Sequence, residues 1–512
     1  MHIIINNKNR NCVIIMFENE VVKELINRYR KLWSIGHAQA LMGWDNETYM
    51  PPLGSEERGY AMAELSTLYQ ELILSENFVS LVEKASNQEN LNDYEKGVVR
   101  VLSREINILR KIPPSLIYEL SKTSEEAFHA WKEAREKNDF SIFNKYLEKI
   151  IKLNIEKAER LGYKNEPYDA LLDLYEEGLM TKDVVSIFDY LKPNLKIILD
   201  NVVSEGYFYF EPELEKMKYD SEKMKKVNLE VLNMLNYPWD RARLDVSPHP
   251  FTQGMGLNDV RITTRYEGFD FKRSLFSVIH EFGHATYELQ IDQGLKMSPI
   301  GSGVSLGIHE SQSRFWENII GRSYQFTSDI KPIVDRHLEF TKKYSDEELF
   351  RYFAAVKPSL IRTEADELTY NFHIILRFEM ERLMLRGEVN VNDLPEIWNQ
   401  NMEELLGIRP KSFSEGILQD VHWSHGDLGY FPTYTLGNIV AAQVRNYLLK
   451  VIPLYDLVSE KKFNDIKQNL KELIHKYGST YKPKDLLVMK LGEPYNPEYL
   501  IKYLTEKYLR QV

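Results

Sequence analysis

The stretch LFSVIHEFGHATYEL (275–289) sets apolar residues at helical spacing around two histidines that are four positions apart. On a helix, His280 and His284 lie on one face, one turn apart, so both imidazoles can reach a single zinc-type ion. Glu281 lies about 100° further round the helix, where its carboxylate can contact a water on the ion without being a ligand. The stretch therefore predicts a helix that carries a metal site.

A second helical segment, 307–320, supplies a candidate for the third ligand. A catalytic zinc needs three protein ligands and an open fourth position. Glu310 in GIHESQSRFWEN (307–318) suits a site of the His/His/Glu type. Glu317 and Glu288 are competing candidates. Because Glu288 lies one turn beyond His284 on the same face, it suits better as the acceptor for an imidazole N–H.

Helical periodicity dominates the chain on both sides of these segments, and it predicts a mainly helical fold. Before residue 205 it predicts a lobe of long helices, with apolar residues at helical spacing from Val22 to Trp33 and in the stretches 55–85, 94–112, 115–137, 140–161 and 181–201. Strand formers near Pro and Gly at 207–210 and 260–264 predict a small sheet. We expect one unit over 16–512, composed of the helical lobe 16–205 and a catalytic lobe 206–512.

Composition limits the class of protein. The 512 residues are 43% hydrophobic and 28% charged, which excludes a disordered chain, and the net charge of −11 argues against nucleic acid or an anionic membrane as partner. The single cysteine, Cys12, cannot form an internal disulfide, so we expect a cytoplasmic protein. The apolar runs 3–5 and 13–16 are too short for a signal sequence or a membrane span. We expect residues 1–15 to be an extension, with Met16 as an alternative start.

Six ordered motifs resemble the thermostable carboxypeptidase Taq family, peptidase family M32. The resemblance runs from WDNETYMPPLG at Trp44 to near the C-terminus, and it is carried by HPF (249–251), DVRITT (259–264), HEFGH (280–284), HESQ (309–312), IRTEADE (361–367) and GILQDVHW (416–423). It implies a metal-dependent carboxypeptidase that removes C-terminal amino acids from peptides with a free C-terminus. It also implies a mainly helical gluzincin fold similar to neurolysin and angiotensin-converting enzyme, with a small sheet beside a deep active-site groove. Zinc is the expected cofactor, cobalt is an activating alternative, and a homodimer is expected.

The resemblance also implies roles for individual residues. His280, His284 and Glu310 are the implied metal ligands, and Glu281 is the implied general base. Within HPF, His249 is a candidate for substrate binding.

Two arginines, Arg362 in IRTEADE and Arg409 in GIRP, are candidates for binding the substrate's terminal carboxylate. A planar guanidinium can donate two parallel hydrogen bonds to a carboxylate. The alternative for Arg362 is an intrahelical pair with Asp366, four positions on. Arg409 follows Gly407 in a predicted loop, where we expect fewer local partners.

The string SHGDLGYFPTYTLGN (424–438) follows GILQDVHW. By resemblance to neurolysin and angiotensin-converting enzyme, His422 and Tyr434 are the predicted hydrogen-bond donors to the tetrahedral intermediate. Tyr430 and His425 are the second choices, and Tyr430 is equally compatible with a place in the core. His425 and Asp427 depart from the small residues expected in the family.

One further prediction and two alternatives concern the use of the site. The strand 260–264 is predicted to pair with the substrate backbone as an added edge. A groove open at both ends would make the protein an endo-oligopeptidase instead. A non-catalytic helical scaffold with a structural ion is the alternative of another class, and Glu281 beside the first ligand argues against it, because a structural site needs no base. No acidic or basic specificity pocket is recognisable, which predicts broad specificity.

Overall fold

Long helices make up most of the chain, as the periodicity predicts. The computed structural model describes residues 16–509, so the predicted extension 1–15 lies outside the described residues. The helices before the sheet are α1 (Glu20–Thr48), α2 (Ser55–Ile73), α3 (Glu76–Ser86), α4 (Asp93–Lys111), α5 (Pro114–Lys137), α6 (Ser141–Leu161), α7 (Pro167–Tyr175), α8 (Thr181–Glu205) and α9 (Ser221–Met234). Pro114 begins α5 and Gly162 follows α6, where the sequence predicts helix boundaries.

The remaining helices follow the sheet. They are α10 (Phe271–Gln290), α11 (Leu306–Arg314), α12 (Tyr324–His337), α13 (Asp346–Phe353), α14 (Tyr370–Leu385), α15 (Leu394–Leu406), α16 (His422–His425), α17 (Pro432–Val451), α18 (Leu454–Ser459), α19 (Phe463–Leu473), α20 (Pro483–Leu491) and α21 (Glu498–Tyr508). A π-helical segment, Phe315–Gly321, continues α11. In the part of the chain described, no helix is long and apolar enough to cross a membrane.

The sheet has three strands, β1 (Ala242–Val246), β2 (Thr252–Gly256) and β3 (Asp259–Thr264), in the order β1-β3-β2. β3 is parallel to β1 and antiparallel to β2. Because β3 is paired on both sides, the prediction that 260–264 accepts a substrate as an added edge is wrong. The edge strand that contacts α10 is β2, through Thr252 and Glu281.

The predicted strand at 207–210 is not formed. The carbonyl oxygen of Tyr207 accepts hydrogen bonds from Arg351 on α13, and Phe208 packs edge-on against Phe350 and Tyr508. The aromatic residues that suggest a strand in the sequence instead pack between α13 and α21.

Two glycines allow the site helices to approach one another closely. A Cβ on Gly283 of α10 would lie 2.5 Å from the backbone of Gln312 and Ser313 on α11, and a Cβ on Gly437 of α17 would lie 2.5 Å from Glu310 Cγ. Any larger residue would separate the backbones, so Gly283 sets the distance between HEFGH and α11, and Gly437 sets the distance between α17 and Glu310.

Apolar residues form two buried clusters in the described chain. The larger includes α5 to α21, and the smaller joins α1, α3 and α4 to Leu257, Ile291, Leu295 and Ile300. The division into lobes at residue 205 stays a prediction.

Candidate metal centre

Helices α10 and α11 bring the three predicted ligands together. His280 Nε2 and His284 Nε2 lie 3.5 Å and 3.4 Å from Glu310 Oε2. One donor atom from each residue lies within 4.8 Å of the other two, so this group could hold an ion. Two imidazole nitrogens and one carboxylate oxygen are the donor set of a catalytic zinc-type site, so the residues fit a divalent ion.

Glu317 holds the first histidine. Its Oε2 accepts the Nδ1 proton of His280 at 2.9 Å, which leaves Nε2 free to bind an ion. Arg314 and Arg322 donate to the same carboxylate, at 3.1 Å and 3.0 Å. Glu317, a competing candidate for the ligand, therefore lies behind His280 rather than beside Glu310. The π-helical segment carries it there, because the wider turn shifts the residues that follow α11.

The second histidine is held by a relay. His284 Nδ1 lies 2.6 Å from His309 Nδ1, and His309 Nε2 lies 2.9 Å from Glu288 Oε1. Since His284 must present a bare Nε2 to an ion, its proton lies on Nδ1 and donates to His309, whose own proton donates to Glu288. Glu288 accepts an imidazole N–H, as predicted, but from His309 rather than from a ligand.

Burial and neighbouring charges set the protonation states of the predicted ligands so that they suit a cation. Burial lowers the pKa of His284 to about 3, so this imidazole is neutral at neutral pH. Burial alone would raise the pKa of Glu310, but Arg314 and the two histidines outweigh it and hold that pKa well below its usual range. Arg314 Nε donates to Glu310 Oε1 at 2.7 Å, which leaves Oε2 towards the histidines.

Glu281 lies beside the ligands and is largely buried. Its Oε2 accepts a hydrogen bond from Thr252 Oγ1 of β2 at 2.6 Å. Burial raises the pKa of Glu281, which makes its carboxylate a stronger base than an exposed glutamate.

His422, Tyr430 and Tyr434 form an aromatic group on α16, α17 and the loop between them. His422 Nε2 lies 3.3 Å from the Tyr434 hydroxyl, and the rings of Tyr430 and Tyr434 are 5.3 Å apart. Tyr434 precedes Gly437 by one helical turn, and Gly437 packs against Glu310. The group therefore lies next to the third ligand.

Arg362 belongs to a buried ion cluster near this group. Its Nε and the Nε of Arg377 donate to Asp420 at 2.9 Å and 2.6 Å. Arg362 Nη1 also donates to the Tyr370 hydroxyl at 3.0 Å, and its guanidinium lies 5.1 Å from the centre of the Tyr434 ring. Two guanidinium groups against one carboxylate leave a formal charge of +1.

The alternative pairing of Arg362 with Asp366 is wrong. Arg362 lies in a 3₁₀ turn, Arg362–Glu364, and Asp366 instead accepts hydrogen bonds from the backbone N–H groups of Leu368 and Thr369 before α14. The sequence places both residues in one helix, and the turn removes the i, i+4 relation.

Arg409, His249 and His425 are exposed, and none belongs to the ligand group. The expectation that Arg409 has few local partners is wrong, because it pairs with Glu396 and Glu403 on α15 at 2.7 Å and 3.0 Å. His249 contributes its carbonyl oxygen to Ser247.

A sequence profile of the family described as carboxypeptidase Taq (M32) metallopeptidase matches residues 24–508. The chain belongs to this family. It is therefore a metallocarboxypeptidase that uses a divalent metal, and the enzyme class implied by the six motifs is confirmed. The alternative of a non-catalytic scaffold is wrong.

Relatives of this M32 carboxypeptidase match along almost their whole length. It is 54% identical to thermostable carboxypeptidase 1 of Pyrococcus furiosus, over 96% of this chain and 99% of the relative, and 40% identical to carboxypeptidase 1 of Bacillus subtilis, over 95% and 97%. A solved structure of the P. furiosus carboxypeptidase superposes with a TM-score of 0.95, over 96% of this chain and 100% of that one. The M32 carboxypeptidase of Deinococcus radiodurans, 33% identical, superposes with a TM-score of 0.92, over 96% and 99%. The mainly helical fold with a small sheet is thereby confirmed.

Several residues around the site of this M32 carboxypeptidase are absent from the sequence-based assignment. Arg314 lies four positions after Glu310, a helical spacing that could have indicated it, whereas Glu317 was considered only as a competing ligand. His309 and Asp420 lie within the motifs HESQ and GILQDVHW but were given no role, and no local pattern marks Thr252, Tyr370 and Arg377, which reach the site from separate elements.

Glu176 holds the start of α11. Its fully buried carboxylate accepts hydrogen bonds from Gly307 N and Ser305 Oγ, both at 2.8 Å, and from Tyr495. It thereby fixes the helix that carries His309 and Glu310. Burial raises the pKa of Glu176 from 4.5 to about 7.

This shift predicts how stability depends on pH. Because the pKa is raised on folding, the contribution of Glu176 is fully present below about pH 4.5 and is lost as pH rises through about 7. Between pH 5 and pH 8, the free energy of unfolding of the wild type should fall by about 3 kcal/mol relative to E176Q, which cannot titrate. Urea denaturation of both proteins at the two pH values measures this difference. A difference that does not change with pH would contradict the prediction.

Proposed function

We propose that this M32 carboxypeptidase holds its ion with His280, His284 and Glu310, and that Glu281 is the general base. The observation that carries the proposal is the set of three donor atoms within 4.8 Å, with a buried carboxylate on the adjacent residue of the same helix. We propose zinc as the ion, with cobalt as an activating alternative, because two imidazoles and a carboxylate suit both.

The bound ion would polarise the scissile carbonyl and lower the pKa of the attacking water. Glu281 accepts the proton of that water on its carboxylate and later delivers it to the leaving amine. Thr252 occupies one face of Oε2, so Oε1 is the oxygen free to take the proton. The raised pKa of Glu281 favours the first of these steps, the uptake of the proton from water.

His422 and Tyr434 are proposed donors to the oxyanion of the tetrahedral intermediate. Burial lowers the pKa of His422 to about 4, so its ring is neutral and carries one N–H. Burial raises the pKa of Tyr434 well above its usual value, so the hydroxyl keeps its proton and can donate. Donors of this kind contribute about 2 to 4 kcal/mol each to the transition state. Tyr430, which packs on both residues, is kept as a substrate-binding candidate.

The outer edge of β2 at Thr252 is proposed to align the peptide. Thr263 N donates to Phe251 O at 2.9 Å, so by the alternation of an antiparallel pair the N–H and C=O of Thr252 point away from β3. An extended substrate can pair with them. This replaces β3, the strand named from the sequence.

Arg362 is the proposed anchor for the terminal carboxylate. Its cluster keeps a formal charge of +1, and two of the five guanidinium N–H groups remain after its bonds to Asp420 and Tyr370. Arg362 is connected to the proposed ligand Glu310 by a short chain of contacts. Tyr370 contacts both Arg362 and Arg314, and Arg314 pairs with Glu310. Arg409, neutralised by two glutamates, is the weaker candidate.

Peptides with and without a free carboxylate test this assignment. For a free-acid peptide, R362Q should lower kcat/KM by about 10²-fold, because a charge-assisted contact worth about 1.5 to 3 kcal/mol is removed. For the matching C-terminal amide, which the wild type should cleave poorly, R362Q should change little. The control R409Q should retain wild-type kcat/KM on both. An equal loss on acid and amide in R362Q, or rapid cleavage of the amide by the wild type, would contradict the anchor and favour an endo-oligopeptidase.

Broad specificity and a cytoplasmic location stay proposals that rest on the sequence.

We also propose a homodimer. Large apolar side chains are exposed on the α1–α2 hairpin, with Leu53 96% and Tyr60 71% accessible. The same hairpin of a second copy would cover them in a two-fold dimer. Light scattering should give twice the mass of one chain, and L53E should lower it; a monomeric wild type would contradict the proposal.

A further inference from the structure

One buried carboxylate holds the loop 422–431, which includes the single helical turn of α16 and leads into α17. Glu381 of α14 is fully buried, and its Oε1 accepts the indole N–H of Trp423 at 2.8 Å. Its Oε2 accepts the backbone N–H of Gly429 at 3.1 Å and the hydroxyl proton of Tyr168 at 2.8 Å. A single side chain thus joins α14, α7 and both ends of the loop.

The two loop residues that Glu381 holds are the sequence neighbours of two site residues. Trp423 follows His422, and Gly429 precedes Tyr430. The loop contains one helical turn and two glycines with positive φ, Gly426 at 80° and Gly429 at 91°. Such a backbone has little regular structure of its own, so its side-chain directions depend on where its ends are fixed.

The donors at Glu381 require a carboxylate. An indole N–H and a backbone N–H cannot accept hydrogen bonds, and an ionised carboxylate is the one side chain that offers acceptors on both oxygens. Gly429 also lies against the backbone of α7, where a Cβ would meet Leu171 at 2.8 Å, so the loop cannot shift towards α7. Burial raises the pKa of Glu381 to about 7, which reflects the cost of keeping this group in the core.

We propose that Glu381 is a positioning residue of the peptidase reaction: through Trp423 and Gly429 it holds His422 and Tyr430 in their working orientation. The proposal rests on the proposed function, in which His422 donates to the reacting carbonyl oxygen. Glu381 itself is separated from the site by the loop residues that it holds.

The variant E381Q tests the proposal. An amide of the same shape places an NH₂ group against either Trp423 or Gly429, so one N–H loses its acceptor. We expect kcat on a free-acid peptide to fall by about 10²-fold, because a displacement of a catalytic donor by about 1 Å lowers the rate by about that factor. The metal content should stay within about twofold, since the proposed ligands are untouched, and KM should change less than kcat, since the Arg362 anchor is untouched.

The matched control is Y168F, which removes the third donor from the same carboxylate without touching the loop. It should lose stability and keep kcat within about twofold. If Y168F loses as much kcat as E381Q, or if E381Q retains wild-type kcat, the proposal is overturned. Should E381Q not fold, W423F removes the indole donor from the loop side and should also lower kcat with unchanged KM; wild-type kcat in W423F overturns the proposal.

A double-mutant cycle separates this proposal from the proposed function. In the H422A background, E381Q should lower kcat much less than in the wild type, because its effect passes through His422. Full additivity would indicate a structural role for Glu381 and overturn the proposal. If H422A alone leaves kcat unchanged, the role of His422 fails, and the positioning role of Glu381 fails with it. If H422A lowers kcat and E381Q does not, only the positioning role fails.

Discussion

The E281Q enzyme should bind its metal ion as the wild type does and should hydrolyse peptides about 10²- to 10⁴-fold more slowly, which is the usual contribution of a positioned general base. Gln keeps the shape of Glu281 and can accept the hydrogen bond of Thr252, but it cannot take a proton from water. Because Glu281 is not one of the three ligands, the ion should stay. Steady-state kinetics on a free-acid peptide and elemental analysis of the same sample measure both quantities.

The control for E281Q is E105Q, the same change at a half-buried glutamate of α4 that bonds to Tyr69. It should keep kcat and the metal content of the wild type. Near-wild-type hydrolysis by E281Q would remove Glu281 as the base. A loss of the ion together with activity would instead assign Glu281 to the binding of the metal.

Replacing His284 by Ala should abolish both metal binding and activity. The variant keeps two of the three donors, and the carboxylate of Glu310 then lacks one of the nitrogens beside it. We expect the loss of affinity to exceed the roughly 10- to 100-fold that an outer partner of a ligand costs. Dialysis against graded chelator concentrations, followed by elemental analysis, gives the affinity.

The matched comparison is H309Q, which changes the outer partner of His284 and leaves all three ligands in place. It should lose about 10- to 100-fold in metal affinity and remain active when the metal is in excess. In the wild type, chelation should remove activity, and zinc or cobalt should restore it. An H284A protein that keeps its full metal content would show that the ion is held by other side chains.

The two histidines proposed as ligands were within reach of the sequence because their relation is local. His280 and His284 are one turn apart on α10, so helical spacing places both, whereas Glu310, on α11, was assigned as the acid that suits a His/His/Glu site. The predicted helices agree with the structure for the same reason. The pattern at 207–210 failed because aromatic residues pack equally well between helices, where Phe208 lies.

Contacts between distant elements could not be found in this way. Asp420 joins Arg362 to Arg377, and its position depends on how the loop before α16 returns to α14. The edge position of β2 likewise depends on the order β1-β3-β2, which no strand pattern contains. Arg362 and Arg409 look alike in the sequence, and only their surroundings distinguish them. Arg362 belongs to a buried cluster with a charge of +1, whereas Arg409 is neutralised by glutamates at the surface.

From its residues alone, this chain determines the helix with its two histidines, the carboxylate of Glu281 beside them and the class of ion they suit, because one helical turn brings those groups together whatever surrounds it. The tertiary structure decides which acids accept hydrogen bonds from the histidines, which strands lie at the edges of the sheet and which arginine keeps an unbalanced charge. Each of these depends on packing between segments far apart in the chain, where the energy of a contact is set by neighbours that local spacing does not specify.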